Sequence, residues 1–422
     1  MIYQHIEPSN CIQINKIPSP YNNPSMACLQ PCVSFNPDLI GKQYLVPAIS
    51  FNYSNDPIQR NIRLKKDFKL EDVVNYATLV QSLHDCKLGK MWKDSMVQLN
   101  AYSDFYFQNI LSSIYNKRFR FGSMYHTYIN ERGKVRLICS LKAVDRLVQK
   151  ALNQNFILPA FRPMLIDENC ASLRNRGISY ALDKFKAQLS KAYMKWGKEF
   201  YILKCDIHSY FDSISHDYIY DLLQQFTTDD RLLYLFRNIF NEYKYDPFIH
   251  NGEMVPYGIG LGGEVPQSFG IICLNELDHL IKEELHTSLV RYMDDFILIH
   301  NDREYLKKCA KYIAMYLQRI GLELNQKKTN IIPASEGAVF LKFHFYIKDG
   351  GKIVMIADKS SKLREQRKLK KMSDLLDDGL IEYSDVLGSF KAWRSHIKMG
   401  DDKYLIDYMN SLFDSLFIEG FV

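Results

Sequence analysis

Cysteine is scarce and scattered in this sequence: of nine in 422 residues, only Cys28 and Cys32 lie close together. An odd count without a spaced framework excludes a disulfide-stapled secreted domain and points to reduced thiols in a cytosolic protein. A zinc site through Cys28 and Cys32 lacks a second ligand pair at matching spacing. No apolar run reaches the roughly 20 residues that cross a bilayer, and MIYQHIEPSN lacks the charged-then-apolar order of a signal peptide. The expectation is a soluble, cytoplasmic protein with no membrane partner.

What is present suits a large globular chain. Hydrophobic residues make up 47% and charged residues 24%, enough for a sizeable core spread over two or three domains. The net charge of +6 is locally concentrated, because KSSKLREQRKLKKM (359–372) sets seven basic residues against Glu365 alone. Such a run is either a solvated helix face or a contact for a nucleic-acid backbone through Lys368, Lys370 and Lys371.

Periodicity sketches the order of elements. Residues 1–60, rich in Pro and Asn, read as loops with short strands. Val73, Val74, Ala77, Val80 and Leu83, then Met96 and Val97, predict amphipathic helices between Leu70 and Tyr115. RGKVRLICS (132–140) alternates as a strand, and the following LKAVDRLVQKALNQNFILPAF predicts a helix ending near Pro159. KEFYILKCDIHSYFDSI predicts a strand entering a turn, SLVRYMDDFILIH is β-like, and helices are predicted near 216–226 and 303–320. Helices interspersed with these strands predict an α+β fold around an antiparallel sheet.

RYMDDFILIH (291–300) places Asp294 and Asp295 side by side between apolar flanks. Adjacent carboxylates in a low-dielectric setting repel one another. On this stretch alone two readings stand: a hairpin whose turn is Met293-Asp294-Asp295, or a site where a cation sits between acids. A third acid bears on the choice. ILKCDIHSYFD puts Asp206 at the end of another apolar strand. Two strands ending in acids can converge and hold two Mg²⁺ ions, which take oxygen ligands and serve in-line phosphoryl transfer.

The YMDD after an apolar strand, with D-x-x-x-x-F-D upstream, resembles the reverse transcriptases, particularly the bacterial group related to group II intron enzymes. Further blocks follow in the family's order between about Lys134 and His396. KVRLI with DRLVQKAL resembles the first fingers motif and SLRNRGISYAL (172–182) the second. GLGGEVPQSFGIICLNELD (260–278) resembles the templating-pocket motif, and GLELNQKKT (321–329) the motif with a lysine near the triphosphate. FLKFHF (340–345) stands at the primer grip, and SFKAWRSH (389–396) resembles the thumb signature.

The resemblance implies a right-hand polymerase: a palm with an antiparallel sheet, fingers, an α-helical thumb and an N-terminal extension. The expected bounds are 1–119 for the extension, an RNA-binding or fingers-packing region, 120–200 for the fingers, 201–350 for the palm and 351–422 for the thumb. Asp206, Asp294 and Asp295 would be the catalytic metal ligands. Phe211 would be a steric gate against a ribose 2′-hydroxyl. Lys134, Arg136, Arg174, Gln267 and Lys328 would contact the incoming dNTP, and Lys342 would join the thumb lysines on nucleic acid. Trp393 and His396 are expected to pack the thumb.

Departures from the intron pattern are specific. Leu261-Gly262 stands where the intron enzymes have Gln-Gly, and Pro266-Gln267 where they have Ser-Pro, while Lys342 replaces the primer-grip glycine. A terminal Gln resembles the diversity-generating and the unknown-group, defence-associated enzymes. Retron signatures, a maturase DNA-binding region and an endonuclease are not recognised in the sequence. The expectation is an RNA-directed DNA polymerase in bacterial antiphage defence, copying a dedicated noncoding RNA encoded nearby into DNA from dNTPs. The alternatives are a diversity-generating retroelement enzyme or a catalytically silent RNA-binding protein; the oligomeric state stays open. Tyr102, Phe105, Tyr106 and Phe107 either clamp RNA by stacking or pack a helical layer.

Overall fold

The computed structural model describes residues 67–131, 134–244 and 255–417. The loops expected over 1–60, Cys28 and Cys32 lie outside the described residues. Among the described residues no helix is long and apolar enough to cross a membrane.

The strands are β1 Tyr125–Glu131, β2 Lys134–Ser140, β3 Tyr201–Asp206, β4 Ser288–Tyr292, β5 Asp295–His300, β6 Asn330–Pro333, β7 Ala338–Phe340, β8 Phe343–Ile347 and β9 Ile353–Ala357. They form a β1-β2 hairpin, an antiparallel sheet ordered β4-β5-β3-β6 and a second antiparallel sheet ordered β7-β8-β9. The four-stranded sheet is the expected palm sheet.

Phe296, Ile297, Leu298 and Ile299 are all buried because both faces of this sheet are covered. Leu203, Cys205, Phe296 and Leu298 join a core with Leu306, Ile313 and Leu317 of the helix Arg303–Arg319. Ile202, Val290, Ile297 and Ile299 face the helix Ile178–Trp196 and the second sheet through Leu182, Phe185 and Phe345. A strand covered on both faces reads as a continuous apolar run, not an alternation. The Phe185 and Phe345 rings meet edge-on at 4.7 Å, tying the helix to the second sheet.

Four helices occupy the region between Leu70 and Tyr115: Leu70–Val73, Tyr76–Lys87, Asp94–Ala101 and Ser103–Tyr115. Asn75 and Thr78 form a reciprocal capping box that starts the second. Its buried face is Leu79, Leu83 and Cys86, whereas Val80 is 47% exposed. The inward stripe is therefore rotated from the one that Ala77 and Val80 suggest. Small and β-branched apolar residues also stand on solvent faces, so apolarity alone did not choose the stripe. The layer is fastened by Asp229, which accepts from the Leu70 N–H at 3.0 Å and pairs with Arg231 at 2.8 Å. Phe107 is 1% exposed and belongs to the core, while Tyr102 at 63% and Phe105 at 66% face solvent and Tyr106 is half-buried.

The helix expected to end near Pro159 continues past it. Ala143–Leu152 passes into a widened turn, Asn153–Ile157, and then into Leu158–Phe161, which contains the proline. Proline has no N–H to give, and the wider turn before it removes the clash that would otherwise end the helix.

At the C-terminal side β9 completes the second sheet before three helices begin: Lys359–Asp377, Tyr383–Ile397 and Lys403–Phe417. Leu369, Val386, Phe390, Met409 and Phe413 form their shared core. The Phe390 and Phe413 rings stack at 4.5 Å. Truncating Phe390 to alanine would cost about 3–5 kcal/mol. Trp393 stacks on Phe390 at 5.9 Å within the three-helix core, as expected, whereas His396 lies 5.0 Å from the Phe343 ring and packs its helix against the second sheet.

Candidate active site

The acids come together through the register of the palm sheet. Asp206, the last residue of β3, stands opposite Asp295, the first of β5. Tyr292 pairs with Asp295, leaving Met293 and Asp294 as a two-residue turn between β4 and β5. The hairpin reading of RYMDDFILIH holds with a shorter turn than Met293-Asp294-Asp295: Asp295 pairs as the first residue of β5, and the turn sets Asp294 next to it on the side of Asp206. Met293 has φ +58°, a left-handed conformation that glycine usually supplies at the first position of such a turn. Strain of this kind, costing about 1–3 kcal/mol, concentrates at functional sites.

Burial pushes the Asp294 carboxyl above the ordinary range, and the Asp206 charge adds to this, while Lys328 and Arg136 oppose it. Burial also pushes Asp295 up to about 6, with Lys204 opposing and Asp294 and Asp206 reinforcing. The Lys204 ammonium lies 3.7 Å from an Asp295 oxygen and donates to the Val339 carbonyl at 3.0 Å. Asp295 Oδ1 is buried with no hydrogen-bond partner among the described residues.

Lys328 Nζ donates to both Asp206 oxygens, at 3.0 and 2.9 Å. Asn325 holds the same residue twice, through its side-chain amide to Oδ1 at 3.0 Å and its N–H to the Asp206 carbonyl at 2.7 Å. Among the described residues no three acid, His or Cys side chains are grouped so that they could hold a metal ion as they stand. The donor chemistry nevertheless suits a hard divalent cation: three mutually repelling carboxylates, one with an orphaned buried oxygen.

Phe211 lies on the short helix Tyr210–Ser213, which follows β3 after a left-handed Ser209. Its half-buried ring rests against Gly270 on the helix Glu264–Ile272; a Cβ there would sit 3.1 Å from the ring. Tyr210 fixes this contact by donating to the Gly270 carbonyl at 2.6 Å. Gln267 is exposed on the first turns of that helix. The loop before it docks on the hairpin: the Cys139 N–H donates to the Leu261 carbonyl at 2.6 Å. Gly262 adopts φ +137°, and a Cβ would stand 2.3 Å from the Cys139 carbonyl oxygen, so only glycine fits.

The other expected contacts are more dispersed. Arg136 is exposed on β2, with its charge felt at Asp294. The Lys134 side chain lies outside the described residues. Arg174 is exposed, whereas nearby Arg176 is engaged with the Ile166 and Asn169 carbonyls at 2.8 Å. Lys342 is exposed at φ +72° in the turn between β7 and β8. Lys368, Lys370 and Lys371 are exposed on the first thumb helix, away from Leu369 and Glu365, and Lys368 bonds the Ser389 hydroxyl.

Residues 126–345, just over half of the chain, match the family described as reverse transcriptase (RNA-dependent DNA polymerase). The chain is a member of the reverse transcriptase family. This reverse transcriptase is similar to apo telomerase from Candida tropicalis truncated from its C-terminal domain (16% identity, TM-score 0.40, 54% of this chain and 53% of that one). It is also similar to telomerase from Candida albicans in complex with a TWJ fragment of telomeric RNA (13% identity, TM-score 0.43, 75% and 65%). The chain thus spans about half to two thirds of those structures. No curated protein sequence matches it.

Four residues around the acids were missed in the sequence: Lys204, Asn325, Asp278 and Arg291. Lys204 and Arg291 did leave a signal, each a lone charge inside an apolar strand. Asn325 looked like an ordinary turn residue, and Asp278 like the polar side of a helix.

Proposed function

We propose that this reverse transcriptase uses Asp206, Asp294 and Asp295 to hold two Mg²⁺ ions and extend a DNA strand on an RNA template. The observation that carries this is the pairing of Asp206 with Asp295, with Asp294 in the adjoining turn. The ions, when bound, would activate the primer 3′-hydroxyl and stabilise the departing pyrophosphate. The chain's own residues order the reactants. Arg136 and Lys328 bring positive charge to the acids' surroundings, where a triphosphate would bind, and Lys328 would exchange Asp206 for it. Phe211, braced by Tyr210 and Gly270, would exclude a ribose 2′-hydroxyl, while Gln267 and Arg174 contact the nucleotide.

Primer extension with dNTPs and Mg²⁺ on an RNA template tests this. Changing Asp294 and Asp295 together to Ala should abolish incorporation and leave RNA binding intact. Incorporation that survives the double change would refute the assignment of the acids.

The finer reading is a bacterial, defence-associated enzyme acting in the cytoplasm on a noncoding RNA encoded nearby. Its support is Pro266-Gln267, which resembles that group and departs from the intron enzymes. Diversity-generating enzymes share the same glutamine, so a genetic test separates the two. The gene with its flanking DNA, moved into a phage-sensitive strain, should confer protection that Asp294→Ala abolishes. No protection, together with near-identical neighbouring repeats that differ at adenines, would favour the diversity-generating reading.

A further inference from the structure

Among the described residues, the largest side chain with no solvent exposure is a charged one, Arg291 on β4. Its guanidinium holds Asp278 with two bonds of 2.6 Å, from Nε to Oδ1 and from Nη2 to Oδ2. Nη2 also donates to the Ile271 carbonyl at 3.0 Å, and Nη1 to the Met293 carbonyl at 3.1 Å. The main chain of Arg291 is engaged as well. Its N–H donates to the Glu168 carbonyl, and its carbonyl accepts from Cys170, both at 2.9 Å.

Stability alone does not account for this arrangement. A buried ion pair loses in desolvation much of what it gains in attraction, and apolar residues of similar volume often serve a fold as well. The neighbours on this strand, Leu289 and Val290, are apolar. The directions of the donors are more telling. One bond ends on the carbonyl of Met293, the left-handed residue that turns the chain into Asp294. Another ends on the last turn of the helix that carries Gln267, and a third pair on Asp278 of the following helix. The backbone bonds add the segment that leads to Arg174.

We propose that Arg291 is a positioning residue. It locks the Met293-Asp294 turn to the helix Glu264–Ile272 and so fixes the acids relative to the nucleotide pocket. This rests on the assignment of the acids made above. Arginine is required because its planar fork serves a carboxylate and two carbonyls in separate directions, whereas lysine presents one nitrogen to all of them.

Arg291→Lys tests the idea, with single-turnover dNTP incorporation, template–primer Kd and melting midpoint measured on variant and parent. A displacement of about 1 Å at a reacting centre can cost about a hundredfold in rate. That loss is expected here, with Kd and melting midpoint close to the parent's. A folded Arg291→Lys with the parent's rate would overturn the proposal. If this variant does not fold, Arg291→Met combined with Asp278→Leu replaces the pair by apolar volume while removing the clamp. The same split between rate and binding is expected, and a parental rate would again overturn it. The parent assay separates the failures: an inactive parent breaks the reading of the acids, whereas an active parent with unaffected variants breaks only this one.

Discussion

Asp206 and Asp295 face each other across the β3–β5 pairing, and each is countered by its own lysine. Lys328 lies on the Asp206 carboxylate at 2.9 Å, and Lys204 lies 3.7 Å from Asp295. Two ammonium groups thus temper a site where burial, reinforced by the neighbouring carboxylates, raises the proton affinity of Asp294 and Asp295. Lys328 is 61% exposed and can move away, while Lys204 is tethered to the Val339 carbonyl.

From this follows an opposition between activity and stability. Asp294→Asn and Asp295→Asn each remove one of the mutually repelling charges while keeping the side-chain shape. Each should lower the incorporation rate by about a hundredfold to a thousandfold, the scale for removing one electrostatic group from a reacting centre. In the absence of divalent ions, the melting midpoint should stay level or rise. A clear fall in the midpoint for both variants would mean that the acids stabilise the fold.

Phe211→Ala should relax sugar selection. The ring rests on Gly270 and keeps part of its surface open, so truncation leaves space without opening a deep cavity. Comparing rNTP with dNTP incorporation should show a higher ratio in the variant while dNTP use persists. An unchanged ratio would leave Phe211 as a packing residue.

How much of this was legible beforehand follows from how each feature is encoded. β3 and β5 were readable because burial on both faces leaves apolar runs bounded by acids, Asp206 at the end of β3 and Asp295 at the start of β5. The two readings of RYMDDFILIH competed in the sequence, yet a two-residue turn is what brings Asp294 beside Asp206. The Arg291–Asp278 pair was not legible, since its partner is chosen by tertiary packing and no local spacing encodes it. The rotated stripe of Tyr76–Lys87 has a similar cause. Val80 is apolar but not inward, and the packing of neighbouring helices, Ala143–Leu152 foremost, decides which face is covered.

The pH dependence of stability should carry a mark from Asp145, on the helix Ala143–Leu152. Burial pushes its carboxyl up to about 6, although the Gly122 N–H and Lys142 oppose this, and Glu242 adds a like charge. A carboxyl with a raised pKa in the folded state binds more protons there than in the unfolded chain. Its stabilising contribution is complete below about pH 4 and is lost as pH rises through about 6. The loss is at most about 3 kcal/mol, from roughly two pKa units at 1.36 kcal/mol each. Asp145→Asn keeps an acceptor for Gly122 and should gain stability relative to the parent between pH 4 and 7. Denaturation midpoints that shift in parallel across this range would exclude Asp145 as the source.

The thumb lysines allow a test in which salt, not sequence, is the variable. On Lys359–Asp377 the buried residues are Leu369 and Glu365, so Lys368, Lys370 and Lys371 stand outside the three-helix core. Reversing their charge should therefore leave the bundle folded, apart from the Lys368 bond to Ser389. Lysines that neutralise phosphates release counterions on binding, and each lost contact lowers the slope of log affinity against log salt by about one unit. The triple Lys→Glu variant should bind template–primer more weakly whatever its sequence, with a slope flatter by up to about three units. Titrations between low and moderate salt measure that slope directly. Equal slopes for variant and parent would assign this face to solvent and move the duplex contact elsewhere on the protein.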